Sequence, residues 1–309
     1  MTLAVAAVIV TYQSAAEIDN CLRSLDNIAE TVVVDNGSAD ATCQVVGRSK
    51  GVRLIANGEN RGFAAAANQG LRATRSPLVL FLNPDAAIET DLRGMVKELE
   101  TPNVGAAAGR LLDTQGSTQV GFNLRRFPTA GDLSREALLL NRLWPGNPWN
   151  RLYRCLDLDP ARSQDVEQPA GAFLMVRRDV LERVGGWDER FHPLWFEDVD
   201  LCRRIRRAGF RIRYLPSCVA RHRGGHSLAT LSVQQRQVYW YRSLFSYAGK
   251  HYSAPARAAL RLSVLAGALL RALLALGRGE SCRGYGKVMS LALGSHTREA
   301  RQVQPHVLT

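Results

Sequence analysis

The stretch LAVAAVIVT, residues Leu3–Thr11, is a continuous apolar run rich in β-branched residues. This pattern is typical of a strand that is buried on both faces, as in a parallel sheet. Ser14 can cap a helix that runs to about Ala29, and residues 31–35 form a second buried strand in the prediction. A strand, a helix and a strand joined by short links form a βαβ unit, so the chain is expected to begin with a parallel α/β sheet.

The same alternation continues along the chain. Helices are indicated after residue 62 and over residues 92–100, between further buried strands. These patterns predict an α/β fold with a mostly parallel central sheet that is flanked by helices. The further strands are predicted at residues 52–56, 77–82, 104–112, 168–178 and 211–215.

Charge is distributed unevenly along the 309 residues, whose net charge is +12. Before Arg203 there are 21 Lys and Arg against 26 Asp and Glu, and from Arg203 onward there are 19 against 2. A basic C-terminal part favours contact with an anionic surface or a polyanionic ligand. The sequence contains no zinc-finger spacing, RNP-like motif or helix-turn-helix signature, so nucleic acid is not an expected partner.

The six cysteines contain no C-x-x-C pair. In a chain of this length we expect free thiols in a reducing cytosol. The apolar start has no positively charged segment and no clear cleavage site, so it is expected to be a strand and not a signal peptide.

Polar side chains stand at the carboxyl ends of the first strands, where open α/β sheets bind their ligands. Thr11 and Tyr12 follow the first strand, and Asp35 ends the second. Asp35 can accept the ring N–H of a pyrimidine base. The alternative is an Asx turn that opens the next helix at Asp40.

The segment NRGFAAAANQG, residues 60–70, predicts a turn followed by an alanine-rich helix that can pack close to the sheet. Arg61 and the first amides of this helix suit a phosphate, because helix N-termini attract anions. The alternative is a tightly packed helix with a surface arginine, because alanine is the best helix former.

The fourth strand ends in Asn83-Pro84-Asp85, whose side-chain oxygens can meet a divalent cation that also binds a diphosphate. His222 follows a late strand and can complete such a site. The alternatives are an ordinary turn and a structural histidine. Gly171 and Ala172 enter another strand, and their small size lets a ligand approach the backbone.

The motif WFEDVD, residues 195–200, places three acids at the start of a basic amphipathic helix. The exposed N–H groups of a helix N-terminus stabilise an ionised carboxylate. With Trp195 and Phe196 beside it, the carboxylate would face a partly dry pocket, as a general base requires. The alternative is helix capping, with pairs between Asp200 and the arginines one turn later.

Two segments leave alternatives open. Residues 127–160 contain four prolines and several aromatic residues, which fits either a lid over the site or a locally packed insertion. Residues 257–276 are apolar apart from Arg257, Arg261 and Arg271, which fits either an interfacial helix on anionic lipid or a buried helix. The uninterrupted run 262–270 is too short to span a bilayer.

Together these motifs closely resemble those of the inverting family 2 glycosyltransferases, specifically their rhamnosyltransferase-like branch. The matching pieces occur in the order of that family and cover roughly residues 4–250. One departure is Asn83, because many relatives have Asp-x-Asp there, and a neutral ligand implies weaker metal binding. The pieces are residues 8–11, 34–38, 60–70, 83–85, 171–173, 197–201 and 222–227.

The resemblance implies a GT-A fold, a Rossmann-like sheet that binds a nucleotide sugar. The catalytic domain would be residues 1–250, with a nucleotide-sugar half of about 1–100 and an acceptor half of about 101–250. A basic helical C-terminal extension, residues 251–309, would associate with a membrane.

The resemblance also implies a role for each matching residue. Asp85 and His222 would bind Mg²⁺ or Mn²⁺, and Asp198 would be the general base. The implied donor-binding residues are Thr11, Tyr12, Asp35, Asn36, Asn60, Arg61, Asn68 and Asn83. The implied acceptor-side residues are Gly171, Ala172, Trp195, Glu197 and Asp200.

The implied reaction is a single displacement that inverts the sugar. We expect rhamnose from dTDP-rhamnose as the donor sugar and a cell-surface or polyprenyl-linked glycan as the acceptor. Such an acceptor favours a cytoplasmic protein bound peripherally to the anionic inner face of the cell membrane, and the sequence leaves the oligomeric state open.

The alternatives are a UDP-sugar donor (galactose, glucose or N-acetylhexosamine) and a non-catalytic nucleotide-sugar-binding scaffold. A nucleotidyltransferase would need a glycine-rich, lysine-bearing loop after the first strand, which Tyr12-Gln13-Ser14 does not supply.

Overall fold

The computed structural model describes residues 2–224, 231–279 and 281–294. Within them, nine strands form one sheet and two short strands form another, so the predicted α/β fold is confirmed. The strands are β1 (Leu3–Thr11), β2 (Ile28–Asp35), β3 (Val52–Ala56), β4 (Leu78–Leu82), β5 (Ala86–Ile88), β6 (Val104–Leu112), β7 (Leu124–Arg125), β8 (Gln164–Val166), β9 (Gln168–Pro169), β10 (Phe173–Arg177) and β11 (Arg211–His222).

The large sheet is mostly parallel and has the order β3-β2-β1-β4-β10-β6-β11-β5, with β8 paired to β11. β10 lies between β4 and β6 and is antiparallel to both. Because of this reversal the start of β10 lies at the carboxyl end of β4, where Phe173 is opposite Leu82.

Helices cover both faces of the sheet. They are α1 (Ile18–Arg23), α2 (Thr42–Gly47), α3 (Phe63–Arg72), α4 (Arg93–Leu99), α5 (Ala130–Ala137), α6 (Leu140–Leu143), α7 (Pro148–Tyr153), α8 (Arg178–Val184), α9 (Glu197–Arg207), α10 (Val233–His251), α11 (Ala254–Gly277) and α12 (Arg283–Ala292). Helices α1, α2 and α4 bury apolar side chains against one face of the sheet. Helices α3, α8 and α9 do so against the other face.

A third apolar cluster joins the C-terminal helices to the rest of the protein. Leu260 and Val264 of α11 and Val288 of α12 are buried in it together with Leu133 of α5. The same cluster includes Phe196, the residue that precedes α9. The C-terminal helices therefore pack against the start of the helix that carries the acidic motif.

One local prediction needs correction, and one alternative that the sequence left open is decided over part of its length. Helix α1 ends at Arg23 and not near Ala29, because β2 begins at Ile28, which is opposite Leu3 of β1. Residues 127–160, which the structure describes in full, form α5, α6 and α7. Since α5 packs against α11 in the third cluster, the segment is a packed insertion over that part of its length.

The alanine-rich helix α3 packs very close to β1, as predicted. A Cβ atom built on Gly70 would lie 2.3 Å from Cγ1 and 3.3 Å from both Cβ and Cγ2 of Val8. Rotation about χ1 of Val8 would move both Cγ atoms but leave the Cβ contact at 3.3 Å, and Val8 is itself buried, so the contact is relieved only by disturbing the packing around Val8. The absence of a side chain at Gly70 is therefore a condition for this helix–sheet distance.

We expect Gly70→Ala to lower the free energy of unfolding by about 1–3 kcal/mol, the usual cost of overpacking a tight contact. The higher helix propensity of alanine recovers at most about 1 kcal/mol of this. Gly47→Ala is the matched control, because a Cβ atom at Gly47 meets nothing within 4 Å. Urea unfolding followed by circular dichroism measures both variants, and equal stability would contradict the close approach.

Candidate active site

One edge of the sheet collects most of the side chains that the sequence predicts for the site. Thr11 ends β1 and Asp35 ends β2, and the two residues are paired neighbours. Asn83 follows β4, and His222 ends β11. The reversed β10 brings Ala172 to the same edge, where its carbonyl accepts a hydrogen bond from the Asn83 N–H (3.0 Å).

Asp35 is buried at this edge, with 1% of its surface exposed. Its carboxylate accepts hydrogen bonds from the Thr11 hydroxyl (2.8 Å), the Ser38 hydroxyl (2.6 Å) and the Ser38 N–H (2.8 Å). A carboxylate has about four acceptor positions, and the Cys43 thiol also lies within side-chain hydrogen-bond reach of Asp35. A base N–H would therefore have to take the position that Cys43 faces. The Asx turn before α2 is made by Asp40, which accepts from the Thr42 N–H (3.0 Å). Base binding by Asp35 stays a prediction.

The turn before α3 is held by two asparagines. The Asn36 side chain donates to the Gly62 carbonyl (3.1 Å), and the Asn60 side chain accepts from the Gly62 N–H (2.9 Å). Arg61 is exposed on this turn, and Tyr12 is half-buried at the end of β1. The turn is thus ordered by its own hydrogen bonds, and Arg61 is accessible to an anionic ligand.

Asn68 occupies a different environment from the other predicted donor-binding residues. Its side chain accepts from the Trp187 N–H (2.9 Å) and donates both to the Trp187 carbonyl (2.9 Å) and to Glu189 (2.9 Å). Both of its N–H donors are therefore used inside the protein, and 5% of the residue is exposed. This position favours a structural role, tying α3 to the turn after α8, over contact with a donor.

His222 is held in one orientation by Gln119. The Gln119 amide nitrogen donates to the His222 carbonyl (2.7 Å), so the amide oxygen faces Nδ1 of the ring (2.9 Å). This oxygen can only accept, so Nδ1 carries the hydrogen, and in the neutral ring Nε2 keeps its lone pair. Nε2 lies 3.4 Å from a carboxylate oxygen of Asp85 and 3.4 Å from the amide nitrogen of Asn83.

Asp85 and His222 fit part of a metal site. Adjacent ligands of an octahedral ion, each about 2.1 Å from it, are about 3.0 Å apart, close to the separation of these two side chains. Burial raises the pKa of Asp85, but the charged form of the His222 ring, in which Nε2 also carries a hydrogen that faces Asp85, and the Gly224 N–H outweigh it and hold the pKa below its usual value. A cation bound at Nε2 would take the place of that hydrogen. A half-turn of the Asn83 amide would present its oxygen to the same point.

The protein side chains of this site do not complete a ligand set. In residues 2–224, 231–279 and 281–294, no group of three His, Cys, Asp or Glu side chains can hold a metal ion. A cation at Asp85 and His222 would therefore need oxygen ligands from a substrate or from water. Residues Gly225, His226 and Ser227 of the predicted motif lie outside the described residues.

Asp198 lies in the first turn of α9. Its carboxylate accepts hydrogen bonds from the Val199 N–H (2.7 Å), the Gly171 N–H (3.2 Å) and the Gln168 amide (3.3 Å). Burial raises its pKa above the usual value for aspartate, although these amides and the charge of Arg125 act in the opposite direction. A buried carboxylate with a raised pKa is suited to accept a proton from a hydroxyl.

A short backbone bridge joins Asp198 to the candidate metal site. The N–H of Gly171 donates to Asp198, and the carbonyl of the next residue, Ala172, accepts from Asn83. Asn83 in turn lies 3.4 Å from Nε2 of His222. The proton acceptor and the metal ligands therefore share one edge of the sheet.

Glu197, which precedes Asp198, is held differently. Its Oε2 atom is buried and has no hydrogen-bond partner among the described residues. Burial, with a further contribution from the charge of Asp198, raises the pKa of Glu197 well above its usual value. A neutral carboxyl group at this position can donate a hydrogen bond to a ligand.

The two aromatic residues before α9 adopt a strained backbone. Trp195 and Phe196 have φ angles of 77° and 67°, a region that costs residues with side chains about 1–2 kcal/mol each. Burial of Phe196 beside Tyr247 of α10, with ring centroids 5.4 Å apart, offsets this cost. The Ser243 hydroxyl of α10 also donates to the Leu194 carbonyl (2.9 Å). Helix α10 thus holds the turn that aims Glu197 and Asp198.

Asp200 is fully buried, and its carboxylate faces cationic side chains inside the protein instead of the open site. It accepts from Arg204 (2.7 Å) and Lys250 (2.8 Å) and lies 2.7 Å from Nε2 of His251. Burial raises the pKa of Asp200, but the His251 hydrogen bond and the charges of Arg204 and Lys250 outweigh it and lower the pKa. This arrangement favours a structural role over the acceptor-side role that we predicted.

Sequence reasoning missed several residues that complete the site. Gln119 and Gln168 orient His222 and Asp198 but belong to no recognisable spacing pattern. Arg125, whose charge acts on Asp198, is one of two adjacent arginines before the proline-rich segment. Ser38 lies within the motif at residues 34–38, so of these missed residues it is the one whose contact with Asp35 could have been predicted from the sequence.

Two family models match the chain. The Glycosyl transferase family 2 model matches residues 6–185, and the Glycosyl transferase family group 2 model matches residues 155–282. The first match alone covers more than half of the chain and contains Asp35, Asp85 and Gly171. Asp198 and His222 lie in the second match.

Full-length relatives and solved structures agree with these matches. The chain is 29% identical over 314 residues to N-acetylglucosaminyl-diphospho-decaprenol L-rhamnosyltransferase of Mycobacterium tuberculosis, covering 96% of this chain and 100% of that protein. It is 26% identical to rhamnosyltransferase WbbL of Escherichia coli, over 73% of this chain and 84% of that protein. The mannosyltransferase PcManGT of Pyrobaculum calidifontis, solved with GDP-Man and Mn²⁺, has a similar fold, with a TM-score of 0.54 and 20% identity over 97% of this chain and 83% of that one. The predicted GT-A fold is thereby confirmed.

We expect Asp200→Asn to lower the free energy of unfolding by about 3–5 kcal/mol, because the change leaves buried cations without their partner. The folded-state pKa of Asp200 is lowered, so its contribution is complete above the unfolded pKa of about 3.9 and is lost as pH falls through the folded value. The difference between variant and wild type should therefore persist at pH 7 and shrink only in acid.

The matched control is Asp179→Asn, whose side chain is exposed and pairs with Arg177. An exposed pair of this kind contributes at most about 1 kcal/mol. Thermal and urea unfolding measure both variants. Wild-type stability of Asp200→Asn together with a raised KM for the acceptor would restore Asp200 to the acceptor side.

Proposed function

Because this chain belongs to glycosyl transferase family 2, we propose that it moves a sugar from a nucleoside-diphosphate donor to an acceptor hydroxyl, with inversion at the anomeric carbon. The chain is a glycosyltransferase, and its rhamnosyltransferase relatives support its place in the rhamnosyltransferase-like branch of the family. The observation that carries the proposed mechanism is the bridge from Asp198 through Gly171 and Ala172 to Asn83. This bridge supports placing the Asp198 carboxylate and the diphosphate site at Asn83 on either side of the anomeric carbon of the donor sugar.

The acceptor hydroxyl gives its proton to the Asp198 carboxylate as its oxygen bonds to the anomeric carbon. The bond from that carbon to the diphosphate oxygen breaks on the opposite face, and its electron pair leaves with the nucleoside diphosphate. The products are an inverted glycoside, the nucleoside diphosphate and a protonated Asp198, which returns its proton to solvent. The Glu197 carboxyl beside it, whose pKa is raised well above its usual value, would donate a hydrogen bond to the acceptor whenever it is protonated.

Asp85, His222 and Asn83 would hold a divalent cation, Mg²⁺ or Mn²⁺, through one carboxylate oxygen, Nε2 and an amide oxygen. Such an ion supplies positive charge against the charge that builds on the departing diphosphate. Arg223, which is exposed beside His222 and pairs with the buried Glu17 (3.3 Å), would add a cationic group at the same edge if it turned from Glu17 to the diphosphate. Gln119 keeps the Nε2 lone pair directed at this site.

The donor and acceptor are proposed from the relatives. The two rhamnosyltransferase relatives support L-rhamnose as the sugar, with dTDP-rhamnose as the donor. The name of the mycobacterial relative supports a polyprenyl-diphosphate-linked glycan as the acceptor. A UDP-sugar donor is the second candidate, because a carboxylate at Asp35 would accept the ring N–H of uracil and of thymine equally.

A lipid-linked acceptor requires access to a membrane, so we propose a peripheral location on the inner face of the cell membrane. In the part of the chain that the structure describes, α11 is the one helix that is long and apolar enough to cross a bilayer. The uninterrupted run 262–270, on which the sequence-based prediction rested, is too short to do so. One third of the most apolar window of α11 is buried inside the protein, however. This burial favours a helix that lies on the membrane over one that spans it.

We expect Asp198→Asn to reduce kcat by about two to four decades, the usual effect of losing a general base, with little change in donor binding. Asp179→Asn should keep wild-type turnover, because Asp179 is exposed at the far end of β10. Turnover is measured as release of nucleoside diphosphate in the presence of acceptor.

The pH profile of kcat/KM gives an independent check on Asp198. The base must be ionised, so activity should rise with pH through its pKa. Because burial raises that pKa, the acid limb should lie above the pH expected for an ordinary aspartate. A variant with near-normal turnover, or an acid limb near pH 4, would assign the proton to another group.

A panel of nucleotide sugars should separate the donor candidates and the scaffold alternative. We expect dTDP-rhamnose with Mn²⁺ to raise the Tm more than UDP-galactose, UDP-glucose or UDP-N-acetylglucosamine, because ligand binding stabilises the folded state by mass action. Asp85→Asn should reduce the part of the shift that depends on Mn²⁺. A Tm shift without turnover on any lipid-linked acceptor would instead favour the scaffold.

A further inference from the structure

The outward face of α11 is apolar over its whole length. Leu262, Leu269, Leu273 and Leu276 are exposed on it, with 66%, 52%, 58% and 58% of their surface accessible. They follow one another at helical spacing on the side opposite the buried face formed by Leu260, Val264, Ala268, Ala272 and Ala275. A helix with this exposed face in water would lose the free energy that burial of these leucines provides.

The arginines of α11 do not interrupt this face. Arg261 donates to the Ala292 carbonyl of α12 (2.7 Å). Arg271 donates to the Ala137 carbonyl (2.5 Å) and the Glu136 carbonyl (3.2 Å) of α5. Arg257 donates to the Gly249 carbonyl of α10 (3.4 Å). All three arginine side chains therefore reach back to the protein, and the outward face is left mainly to leucine and alanine.

The insertion at α6 and α7 exposes a second set of large apolar side chains. Leu143 is 79% exposed, Trp144 60% and Trp149 53%. Leu140 and Leu152 are also exposed. Tryptophan is characteristic of the boundary between lipid and water, because its ring is apolar and its N–H is polar.

The insertion and α11 are joined at the end of α5. A Cβ atom at Gly267 would lie 2.0 Å from the Ala137 carbonyl oxygen, so the two helices are in backbone contact there. Leu143 follows Ala137 by six residues and lies within about 22 Å of that contact. Leu276 follows Gly267 by nine residues, about 14 Å along α11. The two apolar sets therefore lie on elements that both pack against α5, within a few tens of ångströms of each other.

Both elements are basic. Residues 137–156 and 254–279 contain no Asp or Glu. Arg142, Arg151 and Arg278 are exposed beside the apolar side chains. Apolar side chains bordered by arginine match an anionic bilayer, whose headgroups attract the charge while its acyl chains receive the leucines and tryptophans.

We propose that the outward face of α11 and the α6–α7 insertion form one docking surface for an anionic lipid bilayer, which presents the lipid-linked acceptor to Asp198. The inference rests on the proposed function for the identity of that acceptor. The end of α7 returns to the end of β7, because the Arg126 N–H donates to the Tyr153 carbonyl (2.9 Å). Arg125 of β7 acts on Asp198, and the partner strand β9 leads into Gly171. Bilayer contact through the insertion therefore sets the membrane at the acceptor side of the active site.

The test is co-sedimentation of the full-length protein with vesicles of equal parts phosphatidylcholine and phosphatidylglycerol, and with phosphatidylcholine alone. We expect wild-type protein to pellet with the anionic vesicles at low salt and to be partly released by high salt. The double variants Leu143→Glu/Trp144→Glu and Leu269→Glu/Leu273→Glu should each weaken binding by about tenfold or more, since each removes two buried apolar groups. Gln44→Glu is the control, because it adds a negative charge at an exposed position of α2, beside the outermost strand β3 and away from the proposed docking surface.

Three results would overturn the proposal. Wild-type protein could remain in the supernatant with anionic vesicles at low salt. The insertion variant could bind as wild type while the α11 variant does not, which would remove the insertion from the surface. The charged variants could leave vesicle binding unchanged and convert an oligomer to a monomer in sedimentation velocity, which would show that a second copy covers the apolar face.

Donor binding separates this proposal from the proposed function. Variants that lose vesicle binding and transfer to a membrane-embedded acceptor, but keep the Tm shift with nucleotide sugar and transfer to a soluble acceptor analogue, support the docking surface. A wild-type protein that binds vesicles but gives no Tm shift with any nucleotide sugar would remove the glycosyltransferase mechanism. It would also remove the claim that the docking surface presents an acceptor.

Discussion

The antiparallel pairing of β10 with β4 is the constraint on which the site depends. Within a sheet of parallel strands, it places the start of β10 beside the end of β4, with Phe173 opposite Leu82. The hydrogen bond from Asn83 to Ala172 extends this pairing beyond the ladder. A parallel β10 would carry Gly171 to the opposite edge of the sheet and separate Asp198 from Asp85. One reversed strand therefore brings the donor and acceptor parts of the chain together.

The C-terminal helices are part of this geometry and not an appendage to it. Helix α10 supports the strained turn at Trp195 and Phe196 through Tyr247, and Lys250 at its end pairs with buried Asp200. Since these contacts reach both ends of the acidic motif, loss of α10 would release the first turn of α9. The predicted boundary at residue 250 therefore falls within a set of interactions that the site needs. The buried face of α11 packs in the same apolar cluster as α10 and Phe196, so the proposed docking surface and the turn before α9 are in contact through that cluster.

The sequence predicted the parts of the structure that follow from local pattern. The bounds predicted for β1, β3 and β6 match the structure, because apolar runs with β-branched residues have few other folded forms. The reversal of β10 was not predictable, since a buried strand has the same composition in either direction. Asp200 and Asn68 received roles that their partners do not favour, because a motif gives residue types and not the side chains around them. Gln119 had no signal at all, since it acts through one amide on a histidine 103 residues away.

Three carboxylates of one motif show how partners separate structural from chemical roles. Asp200 is fully buried with Arg204, Lys250 and His251 around it, and its pKa is lowered. Such a group is held in its charged form and has no capacity left for a substrate. Asp198 is bonded only to amides, and its pKa is raised, while Oε2 of Glu197 has no described partner. Burial without a cation in direct contact leaves a carboxylate ready to take a proton, so among these acids the incompletely paired ones are those that can do chemistry.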